Sequence, residues 1–139
     1  MQGRAFLDLA REIILGDSEV HRRGAVGRAY YALMLECRDA LFRWGFKLPP
    51  RDNVHSFVRL RFMYASDPDL RVIGLRLENL VKLRNQADYQ LTLVANFRTN
   101  ATAQQAIDDA AHAIALLDAI DAYPARQAAA VAAIRKAFP

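Results

Sequence analysis

An arginine stands in the middle of the chain where helical spacing would place an apolar residue. Four apolar residues recur three or four positions apart in the stretch before it: Leu70, Ile73, Leu77 and Leu80. Arg84 takes the next position of this stripe, Asp88 follows four residues later on the same side, and Leu91 resumes the stripe. A charge in line with a buried face needs a partner or a ligand, so Arg84 is the first candidate for a chemical role.

Two interpretations of Arg84 are open. In the first, Arg84 and Asp88 form a structural ion pair at the end of a helix bundle. Such pairs stabilise a helix by only about 0.2–0.5 kcal/mol, and an arginine that precedes its carboxylate has the less favourable order. In the second, Arg84 lies in a polar cleft, where its planar guanidinium group binds phosphate. The spacing alone favours the structural pair.

Glycine, proline and capping residues divide the chain into helices, and no β-branched alternation is long enough for a strand. We predict helices over 4–15, 20–44, 54–64, 68–89 and 102–122, a short final helix over 125–138, and a loop over 92–100. Asp17 or Ser18 caps the second helix, Asp52 or Asn53 the third, and Asp67 with Pro68 begins the fourth. The sequence therefore predicts an all-α, antiparallel bundle of four or five principal helices, formed by a single domain over 1–139.

The second predicted helix has a long apolar stripe. Its members are Val26, Tyr30, Leu33, Cys37, Ala40, Leu41 and Trp44, and the stripe is widened by Tyr31, Leu35 and Phe42. The charged residues of this helix are expected to fall largely outside the stripe: Arg22, Arg23, Arg38, Asp39 and Arg43. Gly24 and Gly27 lower helix propensity by about 1 kcal/mol each, which indicates a close backbone approach or an irregular first turn.

Composition limits the class of protein. With 53% apolar residues and a net charge of +4, the chain is neither disordered nor strongly polyionic. No apolar run is long enough to cross a membrane, and charges interrupt the N-terminal segment where a secretory signal would be apolar, so we expect a soluble cytoplasmic protein. The single cysteine excludes an internal disulfide. The basic excess lies mainly in the first half, where it can attract phosphate or serve only as an arginine-rich surface.

Three segments together resemble a known family. They are residues 27–32 (GRAYYA), 55–58 (HSFV) and 83–89 (LRNQADY). In order, spacing and helix placement these segments are similar to the HEPN superfamily, and closest to a prokaryotic branch with an R-x-x-A-D-Y signature. The resemblance covers about residues 3–122. It implies a helical bundle that dimerises and forms a composite cleft at the dimer interface, and we expect the second and fourth helices near that interface.

The resemblance also implies candidate functions and site residues. Many members cleave RNA without a metal, others bind RNA or a partner protein, and many are encoded beside a nucleotidyltransferase as toxin–antitoxin pairs. In this chain the implied cleft residues are Arg84, Asn85, Asp88, Tyr89 and His55, with no metal and no cofactor. In an active member the residues at positions 84 and 85 would be catalytic.

The family's catalytic histidine is missing. It should follow the arginine after four to six intervening positions, at 89, 90 or 91, where this chain has Tyr89, Gln90 and Leu91. Histidine suits proton transfer at neutral pH, whereas tyrosine with a pKa near 10 is a poor base there. We therefore expect a non-catalytic module, a homodimer that binds RNA or a partner protein around Arg84. The alternatives are a metal-independent endoribonuclease toxin and an assembly subunit for a nucleotidyltransferase-type antitoxin.

The remaining polar residues have ordinary interpretations as well as functional ones. His55 is the best substitute for the missing histidine, although packing or capping at the start of the third helix is the simpler role. His21 is expected in a solvated turn and His112 at the surface. Four aspartates of the fifth predicted helix are candidates for a cation site, although a solvated helix face is the simpler interpretation: Asp108, Asp109, Asp118 and Asp121. Other residues expected to be structural are Tyr30 and Tyr31 in the core, the inert thiol of Cys37, and solvated Arg59 and Arg61.

Overall fold

The computed structural model describes all 139 residues, and every regular element in it is helical. The six α-helices are α1 (Ala5–Ile13), α2 (Glu19–Arg43), α3 (Val54–Tyr64), α4 (Pro68–Tyr89), α5 (Ala101–Asp121) and α6 (Pro124–Ala137). Short 3₁₀ turns lie in the connections: Ile14–Gly16, Arg51–Asn53 and Ala95–Phe97. The predicted all-α bundle is thus confirmed. None of these helices combines the length and the apolarity needed to cross a bilayer.

The long helix α2 is the centre of the bundle, since α1, α3, α4 and α5 all pack against it. The seven residues of its predicted stripe, from Val26 to Trp44, are all buried. The stripe of α4 is buried as well, from Leu70 to Leu80. On α5 half of the eight buried residues are alanine, which lets α5 lie close to α2: Ala103, Ala106, Ala110 and Ala113. Burial of these faces supplies the main driving force for folding.

Three predictions from periodicity are wrong. Phe42 is 71% exposed, because α1 begins near Glu36, which binds Arg4, and does not extend along α2 as far as Phe42. Leu91 is 68% exposed, because α4 ends at Tyr89 and the stripe ends with it. Arg23 is only 7% exposed and faces inward, although it was expected outside the apolar stripe.

The helix starts follow the capping residues in two of three places. The Ser18 hydroxyl accepts a hydrogen bond from the backbone N–H of His21 at the start of α2. The Asp67 carboxylate accepts from the N–H groups of Asp69 and Leu70 at the start of α4, where Pro68 is the first helical residue. At α3 the predicted cap is wrong, because Asn53 makes no side-chain cap and a 3₁₀ turn leads into the helix instead.

The C-terminal helix α6 closes one end of the bundle. Arg126 donates to both oxygens of Asp67, at 2.7 and 2.9 Å, and this ion pair ties α6 to the first turn of α4. Although burial alone would raise it, the pKa of Asp67 lies below its ordinary value because Arg126 and two backbone N–H groups stabilise the carboxylate. Ile134 is buried beneath α6. The ion pair and Ile134 together anchor α6 to the bundle.

Close helix approach occurs at Gly74 rather than at the glycines of α2. A Cβ atom on Gly74 would lie 2.5 Å from the backbone N and Cα of Met63, so α3 and α4 meet there through backbone. At Gly24 the nearest side-chain atom would be Ile13 Cγ2 at 3.5 Å, and at Gly27 it would be Asp88 Oδ1 at 3.9 Å. Of the two alternatives predicted for Gly24 and Gly27, the close backbone approach is therefore wrong.

This contrast gives a test of the packing of α3 on α4. We expect Gly74→Ala to lower the free energy of unfolding by about 1–3 kcal/mol, because the added methyl group collides with helix backbone that cannot rotate away. Urea denaturation measures the change. Gly24→Ala is the matched control, and it is expected to raise the free energy of unfolding by about 0.5–1 kcal/mol, since it removes glycine from a helix without a collision. Equal effects at the two sites would contradict this account.

Candidate functional site

Arg84 lies where α4 faces α2, and only 19% of its side chain is exposed. One terminal nitrogen, Nη2, donates to the Tyr31 hydroxyl at 2.8 Å, and Nη1 donates to Asn85 Oδ1 at 3.3 Å. Nε lies 3.1 Å from Asp88 Oδ2 but makes no well-aligned hydrogen bond. Of the two interpretations of Arg84, the ion pair with Asp88 is therefore present in the structure, and phosphate binding stays a prediction.

Three tyrosine rings surround the guanidinium group of Arg84. The distances from Arg84 Cζ to the ring centres are 5.8 Å for Tyr30, 5.4 Å for Tyr31 and 5.9 Å for Tyr89. Aromatic rings at such distances attract a cation. Tyr30 is buried, as predicted, whereas Tyr31 is half-buried and presents its hydroxyl to Arg84, and Tyr89 is 72% exposed. The guanidinium group is thus oriented by neutral groups as well as by one carboxylate.

A second arginine reaches the same cluster from α2. Arg28 Cζ lies 5.8 Å from the centre of the Tyr31 ring and 5.7 Å from that of Phe6, and Arg28 has no carboxylate partner. Two guanidinium groups therefore face one tyrosine ring, and Asp88 is the only carboxylate paired with either of them. Sequence reasoning did not single out Arg28. The signal was present, because residues three apart on a helix share a face, and Tyr31 follows Arg28 at that distance.

His55, at the start of α3, joins the cluster through Tyr30. The Tyr30 hydroxyl and His55 Nδ1 are 2.6 Å apart. Partial burial first, and the charge of Arg84 second, hold the pKa of His55 below its ordinary value, while burial raises the pKa of Tyr30 to about 12. At neutral pH both groups are uncharged. When the hydroxyl donates to Nδ1, neutral His55 keeps its proton on Nε2. The Nε2–H group can then donate a hydrogen bond, but it cannot act as a base.

The cluster encloses little space. A cavity of only about 20 Å³ lies between α2, α3 and α4, and its lining residues are Tyr30, Met34, His55, Arg59, Leu77 and Val81. Pockets that enclose small-molecule ligands usually have volumes of about 300–1,000 Å³. The five residues predicted for the cleft thus lie around a surface rather than a deep pocket. Arg84, Asn85, Asp88 and Tyr89 follow one another at the end of α4, and His55 is linked to them by the tyrosines.

Arg23 holds the end of α4 in place. Its two terminal nitrogens donate to five backbone carbonyl oxygens at 2.9–3.4 Å, those of Gln86, Ala87, Gln90, Leu91 and Leu93. Its guanidinium carbon lies 4.4 Å from the centre of the Phe97 ring. A cation is favourable at a helix C-terminus, where the last carbonyls have no helical partners. Sequence reasoning missed this role, although Arg23 stands three residues before Val26 and so continues the buried stripe of α2.

The other candidate groups lie elsewhere and have partners. The carboxylates of α5 are paired rather than simply solvated: Asp108 with Gln104, Asp109 with Arg76, Asp118 with Arg4, and Asp121 with Arg43 and Trp44. No group of three or more His, Cys, Asp or Glu residues is arranged to hold a metal. His21 contacts Ser18 in an exposed turn, and His112 is exposed.

Three residues expected to be structural also have defined surroundings. Cys37 is buried, and burial raises the pKa of its thiol, so the reactive thiolate does not form at neutral pH. Arg59 pairs with Glu78, at 3.2 Å. Arg61 was expected to be solvated, but it is half-buried and stacks on Phe57 and Phe138.

Comparison with family models, with curated proteins and with solved structures finds no match to this chain. The resemblance to the HEPN superfamily therefore stays an expectation from the sequence. What the site does has to be inferred from its geometry and charge.

The role of Arg23 gives a stability prediction. We expect Arg23→Met to lower the free energy of unfolding by about 3 kcal/mol, because up to five carbonyls at the end of α4 lose a charged donor. Amide hydrogen exchange over residues 86–94 should accelerate at the same time. Arg38→Met is the matched control, since Arg38 lies on the same helix and pairs only with the adjacent Asp39. The control should change stability by about 0.5 kcal/mol or less. Equal losses in both variants would contradict the capping role.

The proximity of His55 and Arg84 gives a pH prediction. In Arg84→Gln the pKa of His55 should rise toward its ordinary value, because one of the two causes that lower it is removed. An NMR titration of the His55 ring protons measures this pKa, and Arg71→Gln on the same helix should leave it unchanged. Since the folded pKa lies below the unfolded one, the unfolded chain binds more protons between the two values, and His55 lowers stability as the pH falls through that interval. If the pKa of His55 is the same in Arg84→Gln as in the wild type, the charge of Arg84 does not act on His55 and this account is wrong.

Proposed function

We propose that this protein binds RNA and that the surface around Arg84 holds one phosphate group of the strand. The observation that carries this proposal is the pair of guanidinium groups, Arg28 and Arg84, that face the ring of Tyr31 with a single carboxylate, Asp88, to balance them. Two guanidinium groups near one partly buried ring, with one carboxylate between them, leave an excess of positive charge at this surface, which attracts an anion. Guanidinium groups match the geometry of phosphate oxygens through paired N–H donors.

The carboxylate of Asp88 is a weak competitor for this phosphate. The Asp88 side chain is 43% exposed and pairs with Arg84 at the i,i+4 spacing of one helix. Pairs of this kind contribute only about 0.3–0.5 kcal/mol, so the carboxylate can turn into water at little cost. The Tyr31 hydroxyl meanwhile keeps Arg84 oriented, because their hydrogen bond does not depend on Asp88. The phosphate therefore meets a guanidinium group that is already in position.

Other features of the chain support RNA as the ligand. Asn85 is exposed beside Arg84 and offers an amide donor to a second phosphate oxygen. The net charge of +4 favours approach of a polyanion. The resemblance to HEPN proteins, carried by the segments that contain Arg28, Tyr31 and Arg84, implies an RNA ligand as well. The expected homodimer and the expected nucleotidyltransferase partner remain predictions from that resemblance.

A second candidate function is metal-independent RNA cleavage with His55 as the proton-transfer group. It is favoured by the lowered pKa of His55, which keeps the ring neutral, and by its proximity to Arg84. Two observations favour binding without cleavage. The Nδ1 atom of His55 is occupied by the Tyr30 hydroxyl, and α4 contributes no second histidine beside Arg84. Cleavage needs one group to remove the 2′-hydroxyl proton and another to protonate the leaving oxygen.

Fluorescence anisotropy with a labelled RNA oligonucleotide tests the proposal. We expect Arg84→Ala to weaken binding at least about tenfold and to reduce the salt dependence by about one phosphate contact. Arg28→Ala should weaken binding in the same direction. Arg71→Ala removes an exposed arginine from the same helix and is the matched control. Its affinity for RNA should stay within about twofold of the wild-type value, which is much less than the loss of one phosphate contact causes. Circular dichroism establishes that each variant is folded.

Two results would overturn this function. One is a wild-type protein that does not bind RNA at low salt, and the other is an equal effect of Arg84→Ala and Arg71→Ala. The same RNA, incubated with the protein in EDTA and separated on a denaturing gel, is expected to remain intact. If the wild-type protein cleaves this RNA and both His55→Gln and Arg84→Ala abolish the cleavage, the protein is a ribonuclease and not a binding module.

A further inference from the structure

A short segment beyond α4 exposes apolar side chains next to the phosphate-binding surface. Residues 89–93 border a shallow concavity that is widely open to solvent. Within it Tyr89 is 72% exposed, Leu91 68% and Leu93 38%. Apolar side chains that are exposed together indicate an interaction surface, whereas single ones do not. Gln90 and Thr92 lie between them and supply polar groups at the rim.

The segment is held in this shape by the interior of the protein. The carbonyl oxygens of Gln90, Leu91 and Leu93 all accept hydrogen bonds from the buried Arg23. Three inward carbonyls in five residues leave this backbone little freedom and keep its apolar side chains at the surface. The surface formed by residues 89–93 is thus organised before any ligand binds, which lowers the entropic cost of binding.

We propose that this concavity receives an unpaired nucleobase of the RNA, stacked on the ring of Tyr89. This inference rests on the proposed function and narrows its ligand to single-stranded RNA. Arg84 Cζ lies 5.9 Å from the centre of the Tyr89 ring, so a phosphate on Arg84 and a base on Tyr89 belong to the same or to neighbouring nucleotides. An exposed aromatic ring beside a basic group is the usual arrangement by which proteins hold single strands.

The chemistry of the concavity favours a base over other occupants. Tyr89 offers a π face, Leu91 and Leu93 offer apolar contact to the edges of a ring, and Gln90 and Thr92 offer hydrogen-bond donors and acceptors. A base in a duplex has both faces covered by its neighbours and cannot stack on a protein ring. The ring of Tyr89 lies beside the positive charge of Arg84, which complements a nucleic-acid backbone.

The test uses the full-length protein with single-stranded RNA that carries 2-aminopurine at one position, scanned along the strand. The fluorescence of this base decreases when it stacks. We expect wild-type protein to change the signal at one position and Tyr89→Ala to abolish that change and weaken binding by about 5- to 100-fold. Tyr89→Phe should behave as wild type, because stacking requires the ring and not the hydroxyl. The corresponding duplex should bind more weakly than the single strand.

Tyr123→Ala is the matched control, because Tyr123 is 70% exposed but precedes α6, whose Arg126 binds the opposite end of α4, about 30 Å from Tyr89 by helix length. The base-stacking site is overturned if Tyr89→Ala and Tyr123→Ala bind equally, or if duplex binds as tightly as single strand. In either case the loss of binding in Arg84→Ala still supports the phosphate site. A Tyr89→Ala protein that binds RNA normally but changes from dimer to monomer in light scattering would assign this surface to a second copy of the chain.

Discussion

The buried guanidinium group of Arg23 is the interaction on which the functional surface depends. A charge that is almost fully buried is costly unless its donors are satisfied, and here five backbone carbonyls at the end of α4 satisfy them. The same bonds supply the partners that the last carbonyls of a helix lack. One side chain of α2 therefore holds the end of α4 and the residues that follow it in place.

Burial separates the roles of the arginines in this protein. Arg23 is enclosed, and its two terminal nitrogens bind backbone carbonyls of the fold rather than a ligand. Arg126, which binds Asp67, attaches α6 to the bundle. Arg28 and Arg84 are only partly buried and have one carboxylate between them, which leaves donors and net charge at the surface. A side chain that is held in place but not electrostatically balanced is suited to binding an anion.

The proposed RNA site combines two kinds of contact at neighbouring positions. Arg84 and Arg28 supply charge, which determines affinity and salt dependence but does not distinguish single from double strands. Tyr89 supplies an exposed ring, which only an unpaired base can use. Arg84 and Tyr89 lie within the last two turns of α4, so the cap provided by Arg23 supports both. His55 lies beside them as a neutral hydrogen-bonding group.

The sequence by itself determined the helices, most of the buried face of α2 and the unusual position of Arg84, because these depend on periodicity and on capping within a few residues. It also placed Asn85, Asp88 and Tyr89 near Arg84, since all four lie in the last two turns of one helix. Only the tertiary structure decided which neighbours come from other helices. The contacts of Arg84 with Tyr31 and of Arg23 with the end of α4 join residues that are far apart in the chain. Their energies depend on burial and on the geometry of approach, which helical spacing within one segment does not specify.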